Sequence, residues 1–253
     1  MKKLLYVKLI NMSADLLIET HNIRKVYGED DGQTIALDDV SLSIPRGQFL
    51  AIMGPSGSGK STLLQILGFL DKQTSGTYLF NGVSSEEYSE DALARLRNEQ
   101  IGFVFQSFNL LPKTSVYENV LLPLVYSTVP STQWKKRVTD SIEAVGLSHR
   151  TFHESGMLSG GEKQRCAIAR ALVMNPVLIF ADEPTGNLDS ASGRMVMETL
   201  EDLHDKQGHT IILITHEQPT AEHAERIIAV RDGKIESDSQ NGKRRFAKDG
   251  YRK

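Results

Sequence analysis

The densest chemistry in the sequence sits at Gly54-Pro55-Ser56-Gly57-Ser58-Gly59-Lys60-Ser61, which fits the pattern G-x-x-x-x-G-K-[ST]. The stretch follows the apolar run Phe49-Leu50-Ala51-Ile52-Met53 and leads into Thr62-Leu63-Leu64-Gln65-Ile66-Leu67, a strand-to-helix setting. Glycines let the chain curl until successive N–H groups point at one anion, and the start of a helix adds its positive end. Gly54 to Thr62 therefore read as a phosphate cradle. Lys60 brings a positive charge to the β- and γ-phosphates of a nucleotide, and the Ser61 hydroxyl is a ligand for Mg²⁺. Nucleotide binding follows from this loop but the reaction does not, because kinases, GTPases, helicases and transport motors all use it. The Asn-Lys-x-Asp segment that reads guanine is absent.

A second cluster is Val177-Leu178-Ile179-Phe180-Ala181-Asp182-Glu183, an apolar run ending in two carboxylates. On a sheet that carries a phosphate loop, Asp182 lies at the carboxyl edge, where it can hold Mg²⁺ directly or through water. Glu183 projects differently and can polarise an attacking water. Acid pairs at strand ends are common in loops, so this cluster gains its meaning from the phosphate loop beside it.

The third stretch, Leu158-Ser159-Gly160-Gly161-Glu162-Lys163-Gln164-Arg165, opens a helix that runs on through Ile168 and Leu172. Ser159 followed three positions later by Glu162 is a capping-box pattern. Two glycines at that start permit close backbone approach to an anion, although a well-capped helix would read the same way. This segment resembles the signature of ABC ATPases. The order phosphate loop, Gln106, signature, Asp182-Glu183, Asn187-Leu188-Asp189, His216 resembles that family's full series, over the chain from about Leu16 to Ile235.

The resemblance implies a set of roles. Tyr27 matches the aromatic that stacks on adenine, and Gln106 the glutamine that meets Mg²⁺ and relays the ATP state to a membrane subunit. Asp189 matches the aspartate that couples two sites, though it also suits an N-cap for a helix starting near Ser190. His216 matches the histidine that contacts the γ-phosphate. Lys60, Glu183 and His216 are then the expected catalytic set, and Ser61, Gln106 and Asp182 the expected Mg²⁺ set. Ser159, Gly160, Gly161 and Glu162 would face the ATP of a second copy, giving a head-to-tail dimer with two ATP molecules between phosphate loops and opposing signatures. The run Phe103 to Pro112, with Val116-Tyr117-Glu118-Asn119-Val120 and Pro123-Leu124, resembles the macrolide-export and lipoprotein-release branch. The chain departs from that branch at Ser155-Gly156-Met157 and in the acidic insertion Glu29-Asp30-Asp31-Gly32.

These groups need elements to position them. Leu16 to Ile18, the alternating Val40, Leu42 and Ile44, and Phe49 to Met53 read as strands. Asn81-Gly82 after Tyr78-Leu79-Phe80 reads as a hairpin turn. Trp134, Val138, Ile142 and Val145 repeat at helical spacing, with Ser131 as N-cap and Gly146 as stop, and read as a helical insertion. Val177–Ala181, Ile211–Ile214 and Ile227–Val230 read as buried parallel strands. Strands alternating with helices predict an α/β fold with a parallel sheet. The resemblance refines this to a phosphate-loop (RecA-like) core, an antiparallel β subdomain and an inserted α-helical subdomain. The expected division is an N-terminal extension over 1–14, the ATPase domain over 15–236 with its helical subdomain at about 90–165, and a basic tail over 237–253. That tail has no apolar periodicity and reads as solvated.

The sequence has 253 residues, 40% hydrophobic and 24% charged, with a formal charge of -3. This charge gives no overall drive toward nucleic acid, and none is expected as a partner. The single cysteine, Cys166, excludes an internal disulfide and reads as a small buried helix residue. Met1 to Ile10 breaks its short apolar run at Lys8, and no run approaches the ~20 apolar residues of a spanning helix. The expected protein is an ATPase on the cytoplasmic face of the cell membrane, powering a separate membrane-spanning permease. Two alternatives are a soluble ABC ATPase acting on nucleic acid or ribosomes, and control of cell-wall enzymes without cargo.

Overall fold

The computed structural model describes residues 16–29 and 32–251, so the expected extension over 1–14 lies outside the described residues. The first half contains β1 (Leu16–Tyr27), β2 (Thr34–Pro45), β3 (Phe49–Met53), α1 (Lys60–Leu67), β4 (Ser75–Phe80), β5 (Val83–Ser84), α2 (Glu90–Gln100) and β6 (Ile101–Phe105). The helices α3 (Val116–Val125), α4 (Ser131–Ala144) and α5 (Gly160–Leu172) follow. Then come β7 (Leu178–Asp182), α6 (Ser190–Gln207), β8 (Thr210–Thr215), α7 (Gln218–Ala221), β9 (Arg226–Arg231) and β10 (Lys234–Gln240).

Two sheets result. The larger has the order β10-β9-β3-β8-β7-β6, parallel from β9 to β6, with β10 antiparallel at one end. The smaller, β2-β1-β4-β5, is antiparallel. Asn81 and Gly82 both take positive φ, 53° and 75°, as a tight hairpin between β4 and β5 requires. The α/β fold expected from the alternation of strands and helices is the fold observed.

Strand side chains alternate between two cores. Phe49, Ala51, Ile179, Ala181, Ile211 and Leu213 face the helical layer of α3 to α6, whereas Leu50, Ile52, Leu178, Phe180, Ile212 and Ile214 face α1 and the antiparallel sheet. All twelve are essentially without solvent contact, so the sheet is buried on both faces. Each fully buried large side chain contributes about 1.5–3 kcal/mol by leaving water. Cys166 is buried in the helical layer, where burial pushes its thiol up to about 12.

The structure corrects two expectations. Pro130, with no side-chain hydrogen bond, precedes α4, and Ser131 is its first helical residue. Trp134 closes this end instead, donating its indole N–H to the Val129 carbonyl at 2.8 Å. The C-terminal segment is also not detached from the fold: β10 crosses the boundary expected at 236, and Ala247 and Tyr251 are buried while most of the segment's other described residues stay exposed. Two of its basic residues find acidic partners inside the chain, Arg244 with Asp205 and Arg245 with Glu222. Phe246, Ala247 and Tyr251 follow neither strand nor helix period, which is why the sequence reads as a tail although it docks.

Ile142→Ala, at a fully buried position on α4, is expected to cost about 2–5 kcal/mol and lower the urea midpoint. Lys135→Ala on the exposed side of that helix should shift stability by no more than about 0.5 kcal/mol. Cys166 should stay unreactive to a thiol reagent in the native protein and react once urea unfolds it.

Candidate active site

The site is built where four neighbouring strands end. In register, Met53 of β3 pairs with Thr215 of β8, Asp182 of β7 with Ile214, and Phe105 of β6 with Asp182. The next residues along these four strands are Gly54, His216, Glu183 and Gln106. Residues far apart in sequence therefore emerge along one edge.

Gly54 turns out of β3 at φ 155° and lies so close to β9 that a Cβ would sit 2.1 Å from the Val230 carbonyl oxygen. Any side chain there would push the loop off the sheet. The Ser58 hydroxyl is buried with no hydrogen-bond partner, and Gly59 at the N-cap of α1 provides no side-chain cap. Lys60 Nζ donates to the carbonyls of Gly54 at 2.8 Å and Pro55 at 2.7 Å, so its charge is folded over the loop. An uncapped helix start, an orphaned buried hydroxyl and an ammonium on a glycine-rich turn fit a phosphate chain. Ser61 and Thr62 lie in the first turn of α1.

Burial raises the Asp182 carboxyl, Glu183 raises it further, and Lys60 opposes both. Burial likewise lowers Lys60, while Glu183 and Asp182 pull it back up. A carboxylate beside the lysine of the phosphate loop offers oxygen ligands that suit a hard divalent cation such as Mg²⁺. Glu183 takes φ 46°, a left-handed turn that separates its direction from that of Asp182. Its carboxylate accepts from His216 N at 2.9 Å and the Thr215 hydroxyl at 3.2 Å, and lies 2.6 Å from His216 Nδ1.

Gln106 exchanges hydrogen bonds with Asn187: its Nε2 donates to Oδ1 at 3.4 Å, and Asn187 Nδ2 donates to the Gln106 carbonyl at 3.1 Å. The loop beyond Gln106 is held by α5, whose Arg170 donates to the carbonyls of Phe108 at 2.9 Å and Asn109 at 2.5 Å. Asn187, Thr215 and Arg170 were not singled out as site residues. For Arg170 the available signal was a charge within the apolar stretch Cys166 to Leu172.

The signature stands apart from this cluster. Ser159 caps α5 by accepting from the Glu162 N–H, and the Glu162 carboxylate accepts in return from the Ser159 N–H at 2.9 Å. That backbone bond holds the Glu162 carboxyl below its usual range, with help from Arg150 at 3.0 Å. Gly160 lies against Leu188, and a Cβ on Gly161 would lie 2.8 Å from Ser192. Asp189 caps α6 through Ser192 N at 2.9 Å, as its N-cap reading anticipated, and the same bond lowers its carboxyl. None of these contacts involves the phosphate loop of the same chain.

Tyr27, at the end of β1, is 40% exposed. Its hydroxyl donates to Asp71 at 2.8 Å, and Lys25 Nζ lies 4.8 Å from its ring centre. Thr62 is also within its hydrogen-bonding reach, which puts the ring beside α1.

The family model for ABC transporters matches residues 37–186, more than half of the chain. This chain belongs to the ABC transporter family. Over 224 residues, 88% of its length, this ABC protein is 50% identical to the macrolide export ATP-binding/permease protein MacB of Bdellovibrio bacteriovorus, and it spans about a third of that relative, 34%. It is 45% identical to the ABC transporter ATP-binding protein YvrO of Bacillus subtilis, covering 97% of that protein. The dimeric ATP-binding cassette MJ0796, in a post-hydrolysis state bound to ADP and Pi, superposes with a TM-score of 0.80 at 39% identity over 88% of this chain. The chain is thus an ATP-binding cassette ATPase, and among its described residues no helix is long and apolar enough to cross a membrane.

Gly54→Ala should abolish binding of a fluorescent ATP analogue while leaving the far-UV circular dichroism spectrum intact.

Proposed function

We propose that this cassette hydrolyses Mg²⁺-ATP between two head-to-tail copies and drives a membrane-spanning permease. The observation that carries this reading is the convergence of Gly54, Gln106, Glu183 and His216 at the ends of four adjacent strands, with Lys60 folded over the same edge.

The loop from Gly54 to Thr62 cradles the phosphates through its backbone N–H groups, and Lys60 contributes charge to the β- and γ-phosphates. Ser61, Asp182 and Gln106 would hold Mg²⁺, which when bound neutralises charge developing on the phosphates. Glu183 accepts the proton of the attacking water as general base. An ionised carboxylate only accepts, so the proton between His216 and Glu183 sits on Nδ1. His216 and Thr215 thereby fix the direction of the base. Tyr27 offers its exposed face to the adenine ring, with its tilt set by Asp71.

Ser159 to Glu162 make no contact with their own phosphate loop, which supports their use on the ATP of a second copy. Asp189 caps the helix that abuts this signature, and in the dimer it couples the two sites. The name of MacB joins an ATP-binding part to a permease, and this supports a membrane-spanning permease as the partner of a cassette on the cytoplasmic face, in the macrolide-export and lipoprotein-release branch.

Glu183→Gln should keep ATP affinity, lose turnover by about 10²-fold or more, and accumulate as an ATP-bound dimer on size-exclusion chromatography. Near-normal hydrolysis by this variant would remove Glu183 from the role of base. Affinity purification from solubilised membranes should bring down an integral membrane protein, and recovery of ribosomes or nucleic acid in its place would overturn the transport reading.

A further inference from the structure

The C-terminal segment from Asn241 to Tyr251 folds back over the helices that begin at Asp189 and just beyond His216. Its first anchor is Asn241, whose side chain donates to the carbonyls of Glu222 at 2.8 Å and Ala224 at 2.9 Å. Arg244 follows, donating from Nε to the His223 carbonyl at 2.7 Å and from Nη1 to Asp205 at 2.6 Å. Its guanidinium also sits over the rings of Phe49 and Phe246.

Beneath these lies a buried polar knot. Glu201 of α6 is 2.6 Å from His223 Nδ1, and both side chains are under 10% exposed. The Ala247 N–H donates to both Glu201 oxygens, at 2.9 and 3.2 Å. A buried carboxylate is costly unless its oxygens are satisfied, so the segment's own backbone stabilises a charge on α6.

The segment ends on a wedge. The Tyr251 ring fills the space left by Gly193 in the first turn of α6, where a Cβ would be 2.9 Å from the ring. Its hydroxyl lies 3.4 Å from Thr220 Oγ1 on α7, and Thr220 bonds Glu217, the neighbour of His216, at 2.9 Å. Arg194, beside Gly193, donates to the Lys248 carbonyl at 3.2 Å. One short strap therefore touches both the turn after Asp189 and the turn after His216.

We propose that Asn241 to Tyr251 is a positioning strap for hydrolysis, with Tyr251 as the positioning residue that fixes the starts of α6 and α7 relative to each other. The proposal rests on the role given to His216 under the proposed function. The ring of Tyr251 sets the spacing by filling volume, and its hydroxyl contributes a long contact only. Removing the ring lets the His216 turn drift from Glu183, which slows the chemical step but leaves the phosphate loop able to bind ATP.

The test uses the full chain with four variants: Tyr251→Ala, Tyr251→Phe, Gly193→Ala and His216→Ala. Tyr251→Ala should lower kcat about 10-fold or more with KM and fluorescent-ATP affinity within about 2-fold of the parent. Gly193→Ala, which displaces the ring from the opposite side, should do the same, and Tyr251→Phe should restore kcat. Adding Tyr251→Ala to His216→Ala should cause little further loss, because both act through one group. A normal kcat for Tyr251→Ala beside an inactive His216→Ala overturns the strap and leaves the site reading standing. A loss shared equally by ATP binding and kcat, with a lowered Tm, makes the segment a folding element and also overturns it. If His216→Ala itself turns over normally, the site reading fails and the strap falls with it.

Discussion

Both faces of the parallel sheet are buried, and this constraint shapes everything around it. Strand side chains have apolar cores on either side, so polar groups can appear only where strands end. Loops leaving the carboxyl edge are where the backbone can turn toward a ligand, and the register of β6, β7, β8 and β3 brings four such exits together. The alternation of Ile211 with Ile212, or of Ile179 with Phe180, holds that register, because a slip by one residue would exchange the two cores.

At this edge the charges hold one another in place. Burial disfavours the ionised form of Asp182 and of Lys60 alike, and each counters that effect for the other. Glu183 sits differently: its left-handed backbone turns it away from Asp182 and into bonds from Thr215 and His216. Two adjacent carboxylates thus share the charge of Lys60 but differ in their hydrogen bonds, since Thr215 and His216 bond Glu183. Such divergence lets neighbouring acids serve different chemistry.

Legibility in the sequence followed how local each device is. The phosphate loop, the capping box at Ser159 and Glu162, and the Asn81-Gly82 turn depend on residues a few positions apart, so pattern alone located them. The α/β class was equally readable, since β7, β8 and β9 each carry a run of apolar residues. Contacts between distant segments were hidden. Asn187 against Gln106, Thr215 against Glu183 and Arg170 against the Phe108 carbonyl each join elements with no shared period. The strap is the extreme case: Arg244 and Tyr251 look like parts of a polar end until Asp205, Phe49 and Gly193 are placed beside them.

Helix α5 links two of these regions. Its first turn is the signature, lodged against Ser192 and Leu188, and its Arg170 grips the loop that follows Gln106. Gly160 and Arg170 are separated by ten residues of helix, roughly 15 Å along its axis. An α-helix packed on both the sheet and its neighbours keeps a fixed length, so it acts as a ruler that sets the distance between the signature and the loop after Gln106.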